Sequence, residues 1–374
     1  MTVEWKPRLS VLADELTAKG KLKTARWQAA FRSTPRHVFV PVYFEQNDTG
    51  GWERVTVDHP AALDTVYSNT ALFTDVDEHG AGVSSSSMPG LMTRMLELLD
   101  VRPGQRVLEI GTGTGYNTAL LCSALGDRHV FSIDVDYVAA ARERLVALGY
   151  RPTLATGDGI GGMPGHAPFD RIIATVAVPH IPAAWVDQLA DGGVILADVK
   201  PNTTAGNLVV LRKRGDIAEG RFDSGQAWFM SMRHPGQSPD PVPADRHPGP
   251  ATHSTTRLSA QAWKEQPVPW FLACLDVGRD VQIGYQLGDD HQPTTLTLSA
   301  PDGSWAEVDM DGSTDGQEVR QAGPTRLWDA VEGALAEWES AGQPKWDQLG
   351  LTVMPDKQWV WLDDPTNVVR RMAG

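Results

Sequence analysis

The chain has 374 residues, 41% of them hydrophobic and 21% charged, which is enough apolar material for two ordinary soluble domains. Its 33 basic and 47 acidic residues leave a formal charge of −14 without any long Lys/Arg run. Such a surface repels phosphate backbones and disfavours nucleic acid as a partner. Cys122 and Cys274 lie in apolar stretches and read as buried free thiols. The absence of CxxC, HExxH or a His-rich cluster in the sequence predicts no metal. The N-terminus reads as a charged amphipathic helix rather than a signal peptide. No apolar run reaches transmembrane length, which predicts a cytoplasmic chain without a membrane partner.

Residues 8–32 carry helical spacing in Leu9, Leu12 and Leu16, then in Trp27, Ala30 and Phe31. PRHVFVP (35–41) ends that region, because a proline restrains the residue before it from helix. A polar loop region follows, then a helix over LMTRMLELLD (91–100). From 106 strands and helices alternate. RVLEI (106–110), HVFSI (129–133), PTLATG (152–157), DRIIATVAV (170–178) and GVILADV (193–199) read as strands. NTALLCSAL (117–125), VAAARERLVAL (138–148) and 181–193 read as helices. Apolar strands joined by helices predict a parallel sheet covered on both faces, an α/β doubly wound fold. NLVVLRKR (207–214) and QAWFMSM (226–232) read as further edge strands. Residues 234–262 are dense in Pro, Gly and Ser and read as a linker. The expected division is therefore a catalytic domain over 1–233 and a smaller α+β domain over 263–374. The second holds eight of the thirteen tryptophans and is a candidate for peptide recognition.

VLEIGTGTGYN (107–117) delivers a strand into a glycine-rich turn followed directly by a helix. Gly111, Gly113 and Gly115 permit a tight turn and close backbone approach to a ligand. A dinucleotide fingerprint needs G-x-G-x-x-G, and its last glycine would fall on Tyr116, which argues against NAD. Glu109, just before the glycines, suits a cationic sulfonium better than a pyrophosphate. Asp134 closes the second strand, where an acid can accept from both ribose hydroxyls, and Asp158 in GDG (157–159) is placed to accept from an adenine amine. All three features sit at strand C-terminal ends and together predict S-adenosyl-L-methionine as cofactor, with S-adenosyl-L-homocysteine as product. The expected cofactor contacts are Glu109, Gly111, Thr112, Gly113, Gly115, Tyr116, Asn117, Asp134, Gly157, Asp158 and Gly159.

With these motifs in view, the chain resembles the protein-L-isoaspartate O-methyltransferases. The likeness lies in VLEIGTGTGYNTALL, GDG, APFDRIIATVAVPHIPAAWVDQLADGG (167–193) and PRHVFVP, and spans roughly residues 8–232. The resemblance implies a class I methyltransferase sheet with an N-terminal helical segment. It also implies a catalytic serine in an I-S-x-P segment, which falls here on Ser87 and Pro89 in SSSSMPGLMTRMLELL. Ser86 stands in place of the usual apolar residue and is a second catalytic candidate. Ser85, Met88, Thr175 and His180 are candidate substrate contacts. The bland reading of the serine run is a polar turn that caps the next helix. Tryptophans in WESAGQPKW and KQWVW read as aromatic core sooner than as a peptide groove. EVDMDGSTDGQE lacks calcium-loop spacing and reads as a solvated acidic loop.

The altered serine segment and the long Trp-rich extension resemble extended relatives associated with ribosomal peptide maturation, the graspetide and lanthipeptide methyltransferases, which work beside a peptide-modifying ligase or synthetase. By that resemblance the leading expectation is esterification of an aspartate side chain in a macrocyclised peptide, followed by collapse to an aspartimide and in some cases opening to isoaspartate. The alternative is repair-type methylation of isoaspartyl residues in damaged proteins. A decayed, non-catalytic peptide binder is a third reading, against which the intact glycine loop argues. The D/N-P-P-Y/F motif used on base amines is absent, with ATVAVP in its place.

Overall fold

The computed structural model describes residues 4–47, 50–202, 204–236, 245–278, 280–289, 292–310 and 316–372. Helical spacing of apolar residues gives α1 (Lys6–Ala18) and α2 (Ala25–Ser33), which bury Leu9, Leu12, Leu16, Trp27, Ala30 and Phe31. A short α3 (Arg36–Phe39) follows inside the proline-bounded segment and buries both Arg36 and Phe39.

The stretch expected to be a polar loop is instead a second layer of structure. It comprises β1 (Val42–Gln46), β2 (Trp52–Thr56), α4 (Pro60–Val66), β3 (Leu72–Val76) and β4 (Gly82–Ser86), and ends at α5 (Pro89–Leu98). The strands form an antiparallel sheet in the order β2-β1-β3-β4. β1 and β3 bury one residue each, β4 buries two and β2 none, so no apolar run marks them in the sequence.

The alternating region builds the central sheet from β5 (Val107–Ile110), α6 (Tyr116–Leu125), β6 (Val130–Asp134), α7 (Val138–Ala147), β7 (Thr153–Thr156), β8 (Phe169–Val178), α8 (Ala183–Gln188) and β9 (Leu189–Asn202). The strand pairs among β5–β9 are parallel. The helix read over 181–193 is shorter than expected, because Leu189 already pairs with Phe169 as part of β9. β10 (Ala205–Arg214) and β11 (Ile217–Phe222) add antiparallel strands. QAWFMSM is not a strand: it touches the sheet through a single bridge between Ala177 and Ser231.

A five-stranded antiparallel sheet follows. Its elements are β12 (Thr252–Thr256), α9 (Ala262–Glu265), α10 (Pro267–Val277), β13 (Gln282–Leu287), β14 (Pro293–Ser299), β15 (Trp305–Asp309) and β16 (Gln317–Ala322), with α11 (Leu327–Ser340) behind it; the strand order is β12-β16-β15-β14-β13. The chain then returns to the first sheet through β17 (Leu349–Met354), β18 (Lys357–Leu362) and β19 (Val368–Met372). Among the described residues the central sheet therefore runs β19-β18-β17-β11-β10-β9-β8-β5-β6-β7.

The division expected at 234–262 does not separate two bodies. Thr252–Thr256 of the supposed linker is a strand, the last three strands belong to the catalytic sheet, and residues 237–244 lie outside the described residues. One hydrophobic cluster runs from Leu108 and Ile172 through Phe271 and Trp328 to Val360. Within it the rings of Phe222, Phe271 and Trp346 stand 5.2, 5.4 and 5.5 Å apart. A strand edge and an aromatic face that the catalytic half cannot cover alone are covered by its own C-terminus. The acidic stretch 307–318 is in part β15 and β16, and its residues 311–315 lie outside the described residues.

Candidate active site

β5 has β6 and β7 on one side and β8 and β9 on the other. Loops leaving such a strand and its neighbour diverge and open a crevice at the strand ends, the usual ligand site of doubly wound sheets. A cavity of about 1310 Å³ occupies that place. Its walls are the ends of β5, β6 and β8, the serine strand β4, the segment 226–233 and Lys264.

The glycine loop is shaped by two close fits. Gly111 has φ of 92°, and a Cβ there would meet Thr175 Oγ1 and Val176 Cγ1 at 2.9 Å. Thr175 Oγ1 donates to Gly111 O at 2.6 Å, so Thr175 supports the loop while bordering the cavity. Gly113 has φ of 50°; a Cβ there would meet no protein atom within 4 Å, and Gly113 N donates to Asp134 Oδ2 at 2.7 Å. Asn117 borders the same space with a buried Oδ1 that lacks a hydrogen-bond partner. An open cradle at Gly113, the Asp134 carboxylate and the orphaned Asn117 acceptor suit a donor-rich ligand, as S-adenosylmethionine is with its ammonium and ribose hydroxyls. Thr112, Tyr116 and Gly159 complete this wall.

Several expected contacts stand elsewhere. Glu109 is fully buried behind the loop and does not reach the cavity. Its carboxylate accepts from Asn117 Nδ2 at 2.7 Å, from Ser132 Oγ at 2.6 Å and from Thr118 Oγ1. Burial pushes it up to about 7 despite those donors. It organises the loop rather than pairing with a cation. Asp158 also lies outside the lining; its oxygens face His234 Nδ1 at 2.9 and 3.1 Å and accept from Ile160 N at 3.0 Å. The Asp158 carboxylate is thus engaged by a residue that local sequence gives no reason to pair with it. Gly115 serves helix packing, with Ala141 Cβ at 3.1 Å from where its own Cβ would sit, and Gly157 N bonds Asp134 O at 2.9 Å. Half-buried His180 is not part of the cavity wall.

The serine run is a strand, not a helix-capping turn. Met88 takes the N-cap position of α5 without a side-chain hydrogen bond, and Asn69 Oδ1 accepts from Gly90 N at 2.7 Å. In a strand alternate residues share a face. Ser84 and Ser86 are buried, whereas Ser85 and Ser87 are half-buried, and all four border the cavity with Met88. Ser84 Oγ meets Thr74 Oγ1 at 2.9 Å. Ser86 Oγ accepts from the Arg36 guanidinium at 3.3 and 3.4 Å, which ties this hydroxyl to the buried cation beneath the strand. Ser87 borders the cavity with a hydroxyl that bonds no other described residue.

Sequence reading missed three parts of the site. Arg36 is wholly buried under the serine strand. It donates to the carbonyls of Val66 (2.9 Å), Ser68 (3.3 Å), Thr70 (3.0 Å), Ser86 (3.1 Å) and Ser87 (3.2 Å). Tyr137 OH donates to Asp75 Oδ2 at 3.0 Å and ties the antiparallel sheet to the cofactor half. The segment 226–233 closes one wall: Ala177 N donates to Met230 O and Met232 N to Ala177 O, both at 2.8 Å, and Arg233 pairs with Asp136 at 2.8 Å. Its composition resembles a strand, which was the signal misread. Trp338, Trp346, Trp359 and Trp361 do not border the cavity; Trp228 does.

Among the described residues there is no metal-binding cluster of three or more candidate side chains, and no helix is long and apolar enough to cross a membrane.

Comparisons with known proteins agree with this geometry. Residues 8–230 match the family described as protein-L-isoaspartate(D-aspartate) O-methyltransferase. The protein-L-isoaspartate O-methyltransferase of Halorhodospira halophila is 37% identical over 228 residues, 59% of this chain and 89% of that protein. That of Ignicoccus hospitalis is 35% identical over 193 residues, 50% of this chain and 80% of that protein. A solved structure titled protein-L-isoaspartate O-methyltransferase superimposes with a TM-score of 0.55 at 22% identity, covering 92% of this chain and 96% of its own. At that identity the likeness is one of fold, yet it reaches through the C-terminal extension, which is therefore not foreign to proteins of that title. The chain belongs to the protein-L-isoaspartate(D-aspartate) O-methyltransferase family and is an S-adenosylmethionine-dependent carboxyl O-methyltransferase.

Proposed function

We propose that the enzyme esterifies the free carboxylate of an isoaspartyl residue in a peptide or protein. The observation that carries this reading is the Ser87 hydroxyl, which is uncommitted, half-buried and in one cavity with Gly113 and Asp134. Bound S-adenosylmethionine supplies a methyl group activated by a sulfonium. Gly111, Gly113, Asn117 and Asp134 hold and orient that donor. The free carboxylate of an isoaspartyl residue is an α-carboxyl with a reference pKa of about 3.5 and is ionised at neutral pH, so no general base is required. Ser87 donates to one carboxylate oxygen and leaves the other to attack, and rate comes from alignment. Arg36, immediately beneath, keeps the Ser86–Ser87 backbone in place and adds positive charge on the acceptor side. In the resulting ester the next amide nitrogen attacks the carbonyl, methanol leaves and a succinimide forms.

A second reading keeps the chemistry and changes the acceptor to an aspartate side chain of a macrocyclised ribosomal peptide, delivered by a ligase or synthetase. It is favoured by Ser86 standing where repair enzymes carry an apolar residue. The likeness of fold through the extension removes its other support. The buried free thiols Cys122 and Cys274 suit a cytoplasmic setting for either reading.

Incubation with S-adenosylmethionine and two peptides, one linear isoaspartyl and one with aspartate in a constrained ring, tests the assignment by mass spectrometry. A methyl gain on the linear peptide, followed by net loss of water, is the expected outcome. Methylation confined to the ring peptide would overturn it in favour of the second reading.

A further inference from the structure

Part of the cavity wall comes from far along the chain and has no part in methyl transfer. Trp228 borders the cavity while remaining 50% exposed. Its ring lies 5.3 Å from that of Trp263, inclined by 36°, and Trp263 Nε1 donates to Tyr285 OH at 2.7 Å. The next residue, Lys264, is exposed and also borders the cavity. Its ammonium makes no hydrogen bond or ion pair with the described residues, whereas Arg233, the other cation of the wall, is paired with Asp136 at 2.8 Å.

Two physical points give this cluster meaning. The Trp228 backbone is fixed on both sides: Arg94 Nη2 donates to Gln226 O at 2.9 Å, and Phe229 N donates to Asp198 Oδ2 at 3.0 Å. A half-exposed indole held by a rigid backbone is an anchoring surface that loses little freedom when covered. The cavity wall also carries Asp75, Asp77, Asp134 and Asp136 on a chain of net charge −14. Away from the acceptor strand, an anionic group on this wall meets repulsion except beside the uncompensated Lys264.

We propose that Trp228, Trp263 and Lys264 form an outer subsite of the acceptor cleft that binds the peptide chain beside the methylated residue, with Lys264 taking an acidic side chain and the indoles packing its neighbour. The subsite rests on the peptide-carboxylate reading above and assigns the region after residue 250 a direct share in substrate choice.

The test uses the full chain with S-adenosylhomocysteine and two isoaspartyl peptides, one flanked by glutamates and one by lysines. Binding is read from tryptophan fluorescence, without turnover. The glutamate peptide should bind the wild-type chain more tightly, by about two- to five-fold, the scale of an exposed ion pair. Lys264→Glu should reverse that order. Trp228→Ala should weaken both peptides by roughly ten-fold, as loss of an interfacial indole does, while S-adenosylhomocysteine affinity, measured by calorimetry, confirms an intact fold. An unchanged peptide ratio in Lys264→Glu, or no binding of either peptide to the wild-type chain, overturns the subsite. Binding in the expected order without ester formation from S-adenosylmethionine leaves the subsite standing and overturns the isoaspartyl reading instead.

Discussion

Arg36 Nη2 donates to Ser86 O at 3.1 Å from a position with no solvent exposure, and no described carboxylate pairs with its charge. A buried cation neutralised only by carbonyl dipoles is costly to place, and burial lowers its pKa from 12.5 to about 10. It persists because five carbonyls from two segments, 66–70 and 86–87, converge on one planar fork. Lysine offers three donors from a point charge and cannot reproduce that fork. Arg36→Lys should therefore lower the melting temperature, since each carbonyl left unsatisfied costs about 1–3 kcal/mol. It should also depress kcat/KM for peptide more than cofactor affinity. Equal losses in both would show a general role in folding and none in holding the acceptor strand.

The cofactor cradle is tested at Gly113. The Cβ position there is open and the backbone is left-handed, a region that β-branched residues avoid. Gly113→Val should abolish S-adenosylhomocysteine binding in calorimetry while the circular dichroism spectrum is retained. Unchanged affinity would remove the loop from the cofactor site.

Ser87→Ala should lower kcat/KM by roughly ten- to hundred-fold, the worth of a hydrogen bond to an ionised acceptor, and spare cofactor affinity. Ser86→Ala should act differently. Its hydroxyl supports Arg36, so the loss should register first in thermal stability. Wild-type turnover by Ser87→Ala would exclude this hydroxyl from the acceptor site.

What the sequence reveals of this fold follows physical lines. Strands covered on both faces, such as Val107–Ile110 and Val130–Asp134, are near-continuous apolar runs and stand out. The strands of the antiparallel sheet do not, because Trp52–Thr56 buries no residue and Gly82–Ser86 buries only two serines, so neither shows an apolar face. Glu109 was legible as an acid beside the glycine loop but not in its role: its neighbours Asn117, Thr118 and Ser132 absorb its carboxylate, and their convergence is a tertiary fact. The same holds for Asp158, whose partner His234 lies 76 residues further along the chain. Trp228 carried the opposite error, since an apolar alternation in QAWFMSM mimics a strand although its backbone makes one bridge.

Glu109 also gives the chain a pH signature. Its pKa rises from 4.5 to about 7 on folding through burial. Between those values the folded chain holds a proton that the unfolded chain has lost, so stability falls as pH rises through that interval. Glu109→Gln removes this titration and should flatten the dependence of the urea midpoint on pH there. Asp198, raised to about 6 by burial, would leave a residual slope of the same sign. An unaltered slope in Glu109→Gln would place the titration elsewhere.

Truncation after residue 233 discriminates between an appended recognition domain and an integral one. The edge of β11 pairs with β17 from Ala218↔Val353 to Arg221↔Gly350, and Phe222 is covered by Phe271 and Trp346. Removing the C-terminal region exposes an unpaired strand edge together with an apolar face, a combination that promotes aggregation. The truncated chain should be insoluble or fail to bind S-adenosylhomocysteine, although every residue of the glycine loop is present. A soluble fragment with full cofactor affinity would mean that the catalytic sheet closes without its last three strands. The paired edge at Ala218–Arg221 would then be an added contact and not a condition of folding.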